Sequence, residues 1–396
     1  MTKLELRREN REKIKILAVP ANYGGCSYYR IIMPMEKLQE KFPDEVEVRV
    51  NLNPLDWDEE TKTPPEEDAM LEDMKWADIV FTQNISNIGP HYMIALIKKA
   101  KELGKFVHYD TDDLLTELYA GHRLEDMYKK NKLGELTKVI YHNSDLVSVT
   151  QRKFAERVSE YVRGTLVVIK NAIDFDLECW RYPRFRQPKK APCRIGWVGG
   201  IHHEQDVKQI PNVVMSVNEK VGPQNVRWGF YGRPPLEPGQ EGDWQQDVWD
   251  SYERILTRGS KHKNWDIFPA APSDKYGIMF TQIDVAIAPL EWNEFNDSKS
   301  EIKLMEAGRY GIPLVATDCG CYDEVIENGK TGFLISKDNP RSEWVKVLSK
   351  CIKDRDLVER MGANLKKITD EKYNINNHIG ERLTLYKKLL GRSDGE

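Results

Sequence analysis

The chain of 396 residues predicts an α/β protein built as two doubly wound, Rossmann-like domains facing each other across a cleft. Short, nearly continuous apolar runs alternate with helical patterns along most of its length, the mark of parallel sheets covered on both faces. The alternation stops in a proline-rich stretch and restarts near residue 194. The length suits two domains, each with a sizeable core.

The first series opens with the apolar run Ile14 to Val19, then Asn22-Tyr-Gly-Gly25 and a helix from about Ser27. Further strands are predicted at Val46 to Val50, Asp78 to Thr82, Lys105 to Tyr109, Asp145 to Thr150 and Leu166 to Ile169. The second series is Arg194 to Val198, Val226 to Tyr231, Trp265 to Phe268, Asp284 to Pro289, Ile312 to Ala316 and Gly332 to Ile335. Between them CWRYPRFRQPKKAPC, residues 179–193, has three prolines and no acidic residue, and reads as a linker. The expected domains are therefore 1–178 and 194–373. The last stretch, 374–396, holds a helix with Ile375, Ile379, Leu383, Tyr386 and Leu390 on one face, able to close back on either domain.

The composition, 40% apolar and 31% charged with net charge −4, fits a globular protein and gives no global reason for nucleic-acid binding. Six cysteines without a CxxC pair argue against a zinc site or a disulfide framework, and for a reducing compartment. The N-terminal MTKLELRRENREK has no apolar signal core, and no run is long enough to span a bilayer. The expected location is cytoplasmic; the oligomeric state is not legible.

Residues 295–320, FNDSKSEIKLMEAGRYGIPLVATDCG, carry the most chemistry. Ser298-Lys-Ser-Glu301 has the form of a capping box, which would place a helix N-terminus, a ready anion site, at Lys299 to Glu301. Lys299, Lys303 and Glu306 share a helical face, and the axis from cap to Glu306 rises about 12 Å, comparable to a diphosphate joined to a ribose. A solvated face with a Lys303–Glu306 pair is the bland alternative. The position just beyond a strand, at the sheet's carboxyl edge, favours the ligand.

EAGRYGIPLVATDCGCYDEVIENGKTGFLI, residues 306–335, resembles the Glu-Ala-small-small-Gly-x-Pro-Val and Glu-x-Ile-x-x-Gly-x-x-Gly blocks of the family 4 glycosyltransferases of GT-B fold. DVAIAP (284–289), SDLVSVTQ (144–151), VVIKNAIDFDLE (167–178) and IGWVGGIHHEQD (195–206) resemble other segments of that family, in the same order. The resemblance implies a nucleoside-diphosphate-sugar donor, UDP-sugar first, held by the C-terminal domain, with the acceptor on the N-terminal side. It implies that Glu306 binds the donor ribose and that the product retains its anomeric configuration. The chain departs where the family has a second glutamate, here Ser298 beside Asp297, and Lys299-Ser300 matches a divergent Lys-Ser branch. It also departs where the family has Arg and Lys, here Gly200 and Gln205. Lys299, Lys303 and Arg233 would then supply the positive charge.

Other candidates follow from strand ends. Gly24-Gly25 allows close backbone approach to a ligand, or is a plain tight turn. Arg30 could reach the cleft or pair with Glu36. His108 or Asp110 could touch donor sugar or acceptor and are the catalytic candidates, while Asp113 reads as a cap for a helix at Leu114-Leu115. The grouped carboxylates tempt a metal reading, which the resemblance discounts; no metal and no cofactor beyond the substrate is expected. His202-His203 could lie near the diphosphate or be exposed, and the amides of Gly199-Gly200 are the better anion donors. The nucleotide base is expected near Phe268 and Pro269. Basic and aromatic residues interleave in 180–190, which reads as a solvated hinge whose aromatics pack on the domains, yet leaves open an anionic acceptor such as modified DNA or a lipid phosphate. The expected function is sugar transfer to a hydroxyl; the rivals are a GT-B sugar-nucleotide epimerase and a non-catalytic scaffold.

Overall fold

The computed structural model describes residues 13–22, 24–51, 69–83, 90–235 and 244–392. The stretch 1–12, most of the segment read for a signal core, lies outside them, as does Tyr23 of the first glycine turn. The chain forms two compact units: Met1–Glu117 with Met127–Asp174 and Ile375–Glu396, and Leu118–Asp126 with Phe175–Asn374.

The first unit holds β1 (Ile14–Val19), β2 (Val46–Val50), β3 (Ile79–Gln83), β4 (Phe106–Thr111), β5 (Leu146–Val149) and β6 (Thr165–Val168) in the order β2-β1-β3-β4-β5-β6. All pairings are parallel. The central strands β3 and β5 are buried along their whole length, which is why they read as unbroken apolar runs. Helices α1 (Met33–Lys41), α2 (Ala69–Trp76), α3 (Pro90–Glu102), α4 (Leu133–Asn143) and α5 (Arg152–Val158) lie in the crossovers. A π-helical turn, Tyr28–Ile32, precedes α1 and carries the buried Arg30. The C-terminal helix Ile379–Leu389 also belongs to this unit, with Ile379, Leu383 and Tyr386 buried. The helix expected after Asp113 does not form: residues 114–117 are turn and coil, and Asp113 offers its carbonyl to the Thr111 hydroxyl.

The second unit holds β7 (Cys193–Val198), β8 (Val226–Arg233), β9 (Trp265–Pro269), β10 (Val285–Ala288), β11 (Leu314–Thr317) and β12 (Gly332–Ile335). Their order, β12-β11-β10-β7-β8-β9, is again all parallel. Its helices are α6 (Glu204–Val207), α7 (Val213–Val221), α8 (Trp244–Thr257), α9 (Glu294–Asp297), α10 (Ile302–Arg309), α11 (Pro340–Lys353) and α12 (Arg355–Lys372). The core gathers Trp197, Trp228, Trp249 and Trp344 with the valines of α7. Trp228 is 1% exposed, so truncating it to alanine would cost about 3–5 kcal/mol.

The segment read as a linker is strapped to this unit. The Tyr310 hydroxyl donates to the Cys179 carbonyl (2.5 Å), Arg309 Nε to the Trp180 carbonyl (3.1 Å), and the Phe185 amide to the Thr281 carbonyl (2.8 Å). Trp180 packs into this unit, as expected of the segment's aromatics, whereas Phe185 stays exposed. Among the described residues no helix is long and apolar enough to cross a membrane.

Candidate functional site

In doubly wound sheets a ligand crevice opens at the carboxyl ends of the two strands between which the order reverses. In the second unit these are β7 and β10. Gly199-Gly200 leaves β7, and the chain leaving β10 runs through α9 into α10.

The Gly199 amide donates to the Tyr231 carbonyl at 3.0 Å, and its ring neighbour Trp197 fills the place of a Cβ. Gly199 is thus a packing glycine, contrary to its expected role as an anion donor. A Cβ on Gly200 would meet nothing within 4 Å, so open space lies beside that backbone. Here α6 is tied to the exit of β10. Asp206 accepts from His203 Nδ1 (2.7 Å), from Asn296 Nδ2 (2.8 Å) and from the Glu291 amide (2.7 Å). Burial raises the Asp206 pKa, but His203 and Lys299 outweigh it and hold the carboxyl below its ordinary range. Burial keeps His203 neutral more readily, its pKa lowered despite Asp206.

The capping box read at 298–301 is not formed. The cap is Asn293, whose side chain accepts from the Asn296 amide of α9; Ser298 donates to the Glu294 carbonyl, and α10 begins at Ile302. Glu301 is buried, its carboxylate held by the Tyr373 hydroxyl (2.8 Å) and the Cys321 thiol (3.0 Å). The result is a compact turn, 298–301, pinned from below, with Lys299 and Ser300 half-buried on it. Lys299 Nζ sits 5.2 Å from the Phe295 ring centre. Asp297 is buried and accepts from the Gly320 amide (3.1 Å), so it shapes the turn rather than reaching outward. Gly320 has φ +76°, and a Cβ there would lie 3.2 Å from the Lys299 carbonyl; glycine is what lets the two turns touch.

Lys303 and Glu306 share one face of α10, as expected. Lys303 Nζ lies 3.3 Å from Glu306 Oε2 and donates to the Tyr276 hydroxyl at 2.8 Å. Burial would lower the Lys303 pKa, but Glu306 and Tyr276 raise it, so the ammonium is secure. Glu306 is 1% exposed, a buried carboxylate beside a buried cation. Phe268, at the end of β9, stacks on Tyr231 with ring centres 4.5 Å apart. Arg233 is drawn toward α8, hydrogen-bonded to Gln246 and 2.9 Å from Asp250, so part of its charge is already answered. Tyr119 and His122 pack against Phe295, bringing segment 118–126 beside Lys299. Nothing local in the sequence marks Tyr276, Tyr373 or this segment.

In the first unit the sheet order reverses between β1 and β3. Asn22 Oδ1 accepts from the Gly24 amide (2.6 Å), and Gln83 Nε2 donates to Ser27 Oγ (2.6 Å), closing the turn after β1. A Cβ on Gly25 would meet nothing, leaving its backbone open, while Gly24 is filled by Asn22.

The catalytic roles expected of His108 and Asp110 are overturned by burial, both being 0% exposed. His108 stacks on Phe81 and hydrogen-bonds Tyr386 (3.0 Å) and Ser148 (2.8 Å). Burial, with Arg382 and Arg30 nearby, pushes its pKa well below the usual value, so it is a neutral core residue. Asp110 takes both forks of Arg30, Nε at 2.8 Å and Nη2 at 2.7 Å, plus the Ser148 hydroxyl. Arg30 also donates to the Ile169 carbonyl and Asn171, and so pairs neither with Glu36 nor with a ligand. Asp112, two residues on, is the group at this edge that titrates near neutrality. Burial and Asp113 raise its pKa to about 6, against the Cys26 thiol and Arg30.

The architecture is that of the GT-B glycosyltransferases. Sucrose-phosphate synthase from Thermosynechococcus elongatus superposes over 96% of this chain and all of its own, with TM-score 0.68 at 13% identity. Anabaena HepE in complex with UDP and glucose superposes over the same shares, with TM-score 0.65 at 13% identity. Residues 192–354, within the second unit, match the family model described as Glycosyl transferases group 1. The putative glycosyltransferase YtcC of Bacillus subtilis is 28% identical over 120 residues, 30% of this chain. The D-inositol 3-phosphate glycosyltransferase of Corynebacterium jeikeium is 32% identical over 94 residues, 24% of this chain. These stretches span 28% and 21% of the two relatives' own lengths.

Proposed function

We propose that the protein transfers a sugar from a nucleoside diphosphate sugar to an acceptor hydroxyl, with UDP-sugar as donor. The observation that carries this reading is that the open Gly200 backbone follows β7 and that Lys299, Ser300, Lys303 and Glu306 follow β10, the two strands between which the sheet order reverses. The crevice lies within the stretch that matches the family model, and HepE, of the same fold, binds UDP and glucose.

Departure of the nucleoside diphosphate builds negative charge, and the lysines, held rigid by Tyr276 and Phe295, stabilise it as it grows. They do so without a metal ion. Glu306 accepts from the ribose hydroxyls, and the base lies beside Phe268. Arg233 and Asp297 complete the donor surroundings within the second unit, Asp297 through the turn it shapes; the Gly24-Gly25 turn lies in the first unit. The first unit provides the acceptor side at the carboxyl ends of β1 and β4, where Asp112, ionised above about pH 6, accepts a hydrogen bond from the incoming hydroxyl. The product retains its anomeric configuration.

The test is a panel of UDP-, GDP- and ADP-sugars, followed by thermal shift and nucleotide release. A UDP-sugar should stabilise the protein and release UDP in proportion to an added acceptor. Epimerised donor without acceptor dependence would replace transfer by epimerisation, and no binding of any donor would leave a scaffold.

A further inference from the structure

At the opposite, amino end of the second sheet lies a groove of about 770 Å³. One wall is the strap around 180–187; the others are the turn after α10 and the side of α12. Eight arginine and lysine side chains line it against three carboxylates, in a chain whose net charge is −4.

The charge at its base is not balanced. Asp284 is 2% exposed and is shared by three guanidinium groups: Arg184 (3.3 Å), Arg194 (2.9 Å) and Arg355 (2.9 Å). One carboxylate therefore answers three cations. Arg184 is fixed further by neutral carbonyls, those of Ile283 (3.1 Å) and Gly311 (3.0 Å), which orient it without cancelling its charge. Arg355 Nη1 is buried and has no hydrogen-bond partner among the described residues. A buried donor on a cation left unmatched is costly unless something else accepts from it. The walls are preorganised by the strap's bonds to the end of α10, so a ligand would meet cations already in place.

We propose that this groove binds a ligand carrying clustered phosphate groups. Guanidinium forks match phosphate oxygens in pairs, which lysine cannot do, and six of the eight lining cations are arginine. The volume falls in the range of discrete small ligands, about 300–1,000 Å³, rather than of a flat contact with a membrane or a polymer. The groove lies at the amino ends of β10 and β11, marked by Asp284 and Gly311, whereas the donor crevice lies at the carboxyl ends of β7 and β10. It is a second anion site, distinct from the one that would hold a nucleoside diphosphate. The basic, aromatic stretch 180–190 thus acquires a role that a hinge would not give it.

The probe is tripolyphosphate, titrated calorimetrically into the full chain and into the triple variant Arg186→Ala/Arg360→Ala/Lys367→Ala. These three side chains line the groove and lie outside the Asp284 cluster, so the fold is spared. The expected result is saturable binding that survives saturating UDP and weakens about tenfold or more in the variant, while UDP affinity is unchanged. Phosphatidylglycerol vesicles and a single-stranded oligonucleotide are run in parallel. Binding of either one without tripolyphosphate would overturn the discrete-ligand proposal in favour of a surface or a polymer. Tripolyphosphate binding abolished by UDP, or equal in wild type and variant, would overturn the second site itself. Because UDP is titrated separately, loss of the groove and loss of the donor site are distinguishable.

Discussion

Replacing Glu306 by glutamine separates the ribose contact from the diphosphate contact. The side chain is 1% exposed and lies 3.3 Å from Lys303, and glutamine keeps its shape while removing its charge. A hydrogen bond to a charged group contributes about 1.5–3 kcal/mol. Loss of that increment on the ribose raises the UDP dissociation constant about ten- to hundredfold. Pyrophosphate has no ribose and reports only on the lysines and the turn. Since Lys303 keeps Tyr276 as a partner at 2.8 Å, pyrophosphate affinity should hold or rise slightly as the competing carboxylate charge disappears. Calorimetric titration of both ligands into wild type and Glu306→Gln gives the two ratios. Equal losses for UDP and pyrophosphate would mean that the variant damages the pocket as a whole, and unchanged UDP affinity would remove Glu306 from the ribose. Either result refutes the assignment.

Tyr276→Phe should show no such selectivity. Freed of its hydroxyl partner, Lys303 is less well placed, and UDP and pyrophosphate should both weaken about fivefold, close to 1 kcal/mol. Asp110→Asn should leave nucleotide binding intact but destabilise the first unit by about 3–5 kcal/mol, because Arg30 is left buried without its counter-charge; chemical denaturation followed by a probe in that unit measures it. The pH profile of transfer should fall as pH drops through about 6, where Asp112 gains its proton, and Asp112→Asn should be slow with that acid limb gone. For His108 the sign runs through stability. Its folded pKa is depressed, so below the unfolded value near 6.5 the unfolded chain binds the extra proton and stability falls with pH. His108→Gln should flatten the profile relative to wild type between pH 6.5 and 5.

What could be read locally was read well. Val46–Val50 and Gly332–Ile335 fall where the sequence pattern places them, the first a half-exposed edge strand of alternating VEVRV and the second a mostly buried apolar one. Lys303 and Glu306 meet because helical spacing alone brings them together. The failures share a cause: a side chain's fate was decided by a partner far along the chain. Glu301 has the spacing of a capping residue, yet Tyr373, 72 positions away, takes its carboxylate. His108 reads as near a strand end where ligands gather, yet it lies inside β4, and Tyr386, 278 positions away on the C-terminal helix, covers it. Asp110 looked like a catalytic carboxylate until Arg30, raised on its π-helical turn, claimed both oxygens. Asp284 read as the opening of a strand; its real work is to anchor three arginines from separate elements. Spacing carries no information on such pairings.

Amide hydrogen exchange with and without UDP tests the central claim most directly. Protection on binding should concentrate at residues 200–203, 266–270 and 298–306, the three segments proposed to hold the donor at the carboxyl edge of the second sheet. Protection confined to other segments, with 298–306 exchanging as fast as in the free protein, would contradict the placement of the diphosphate on this turn.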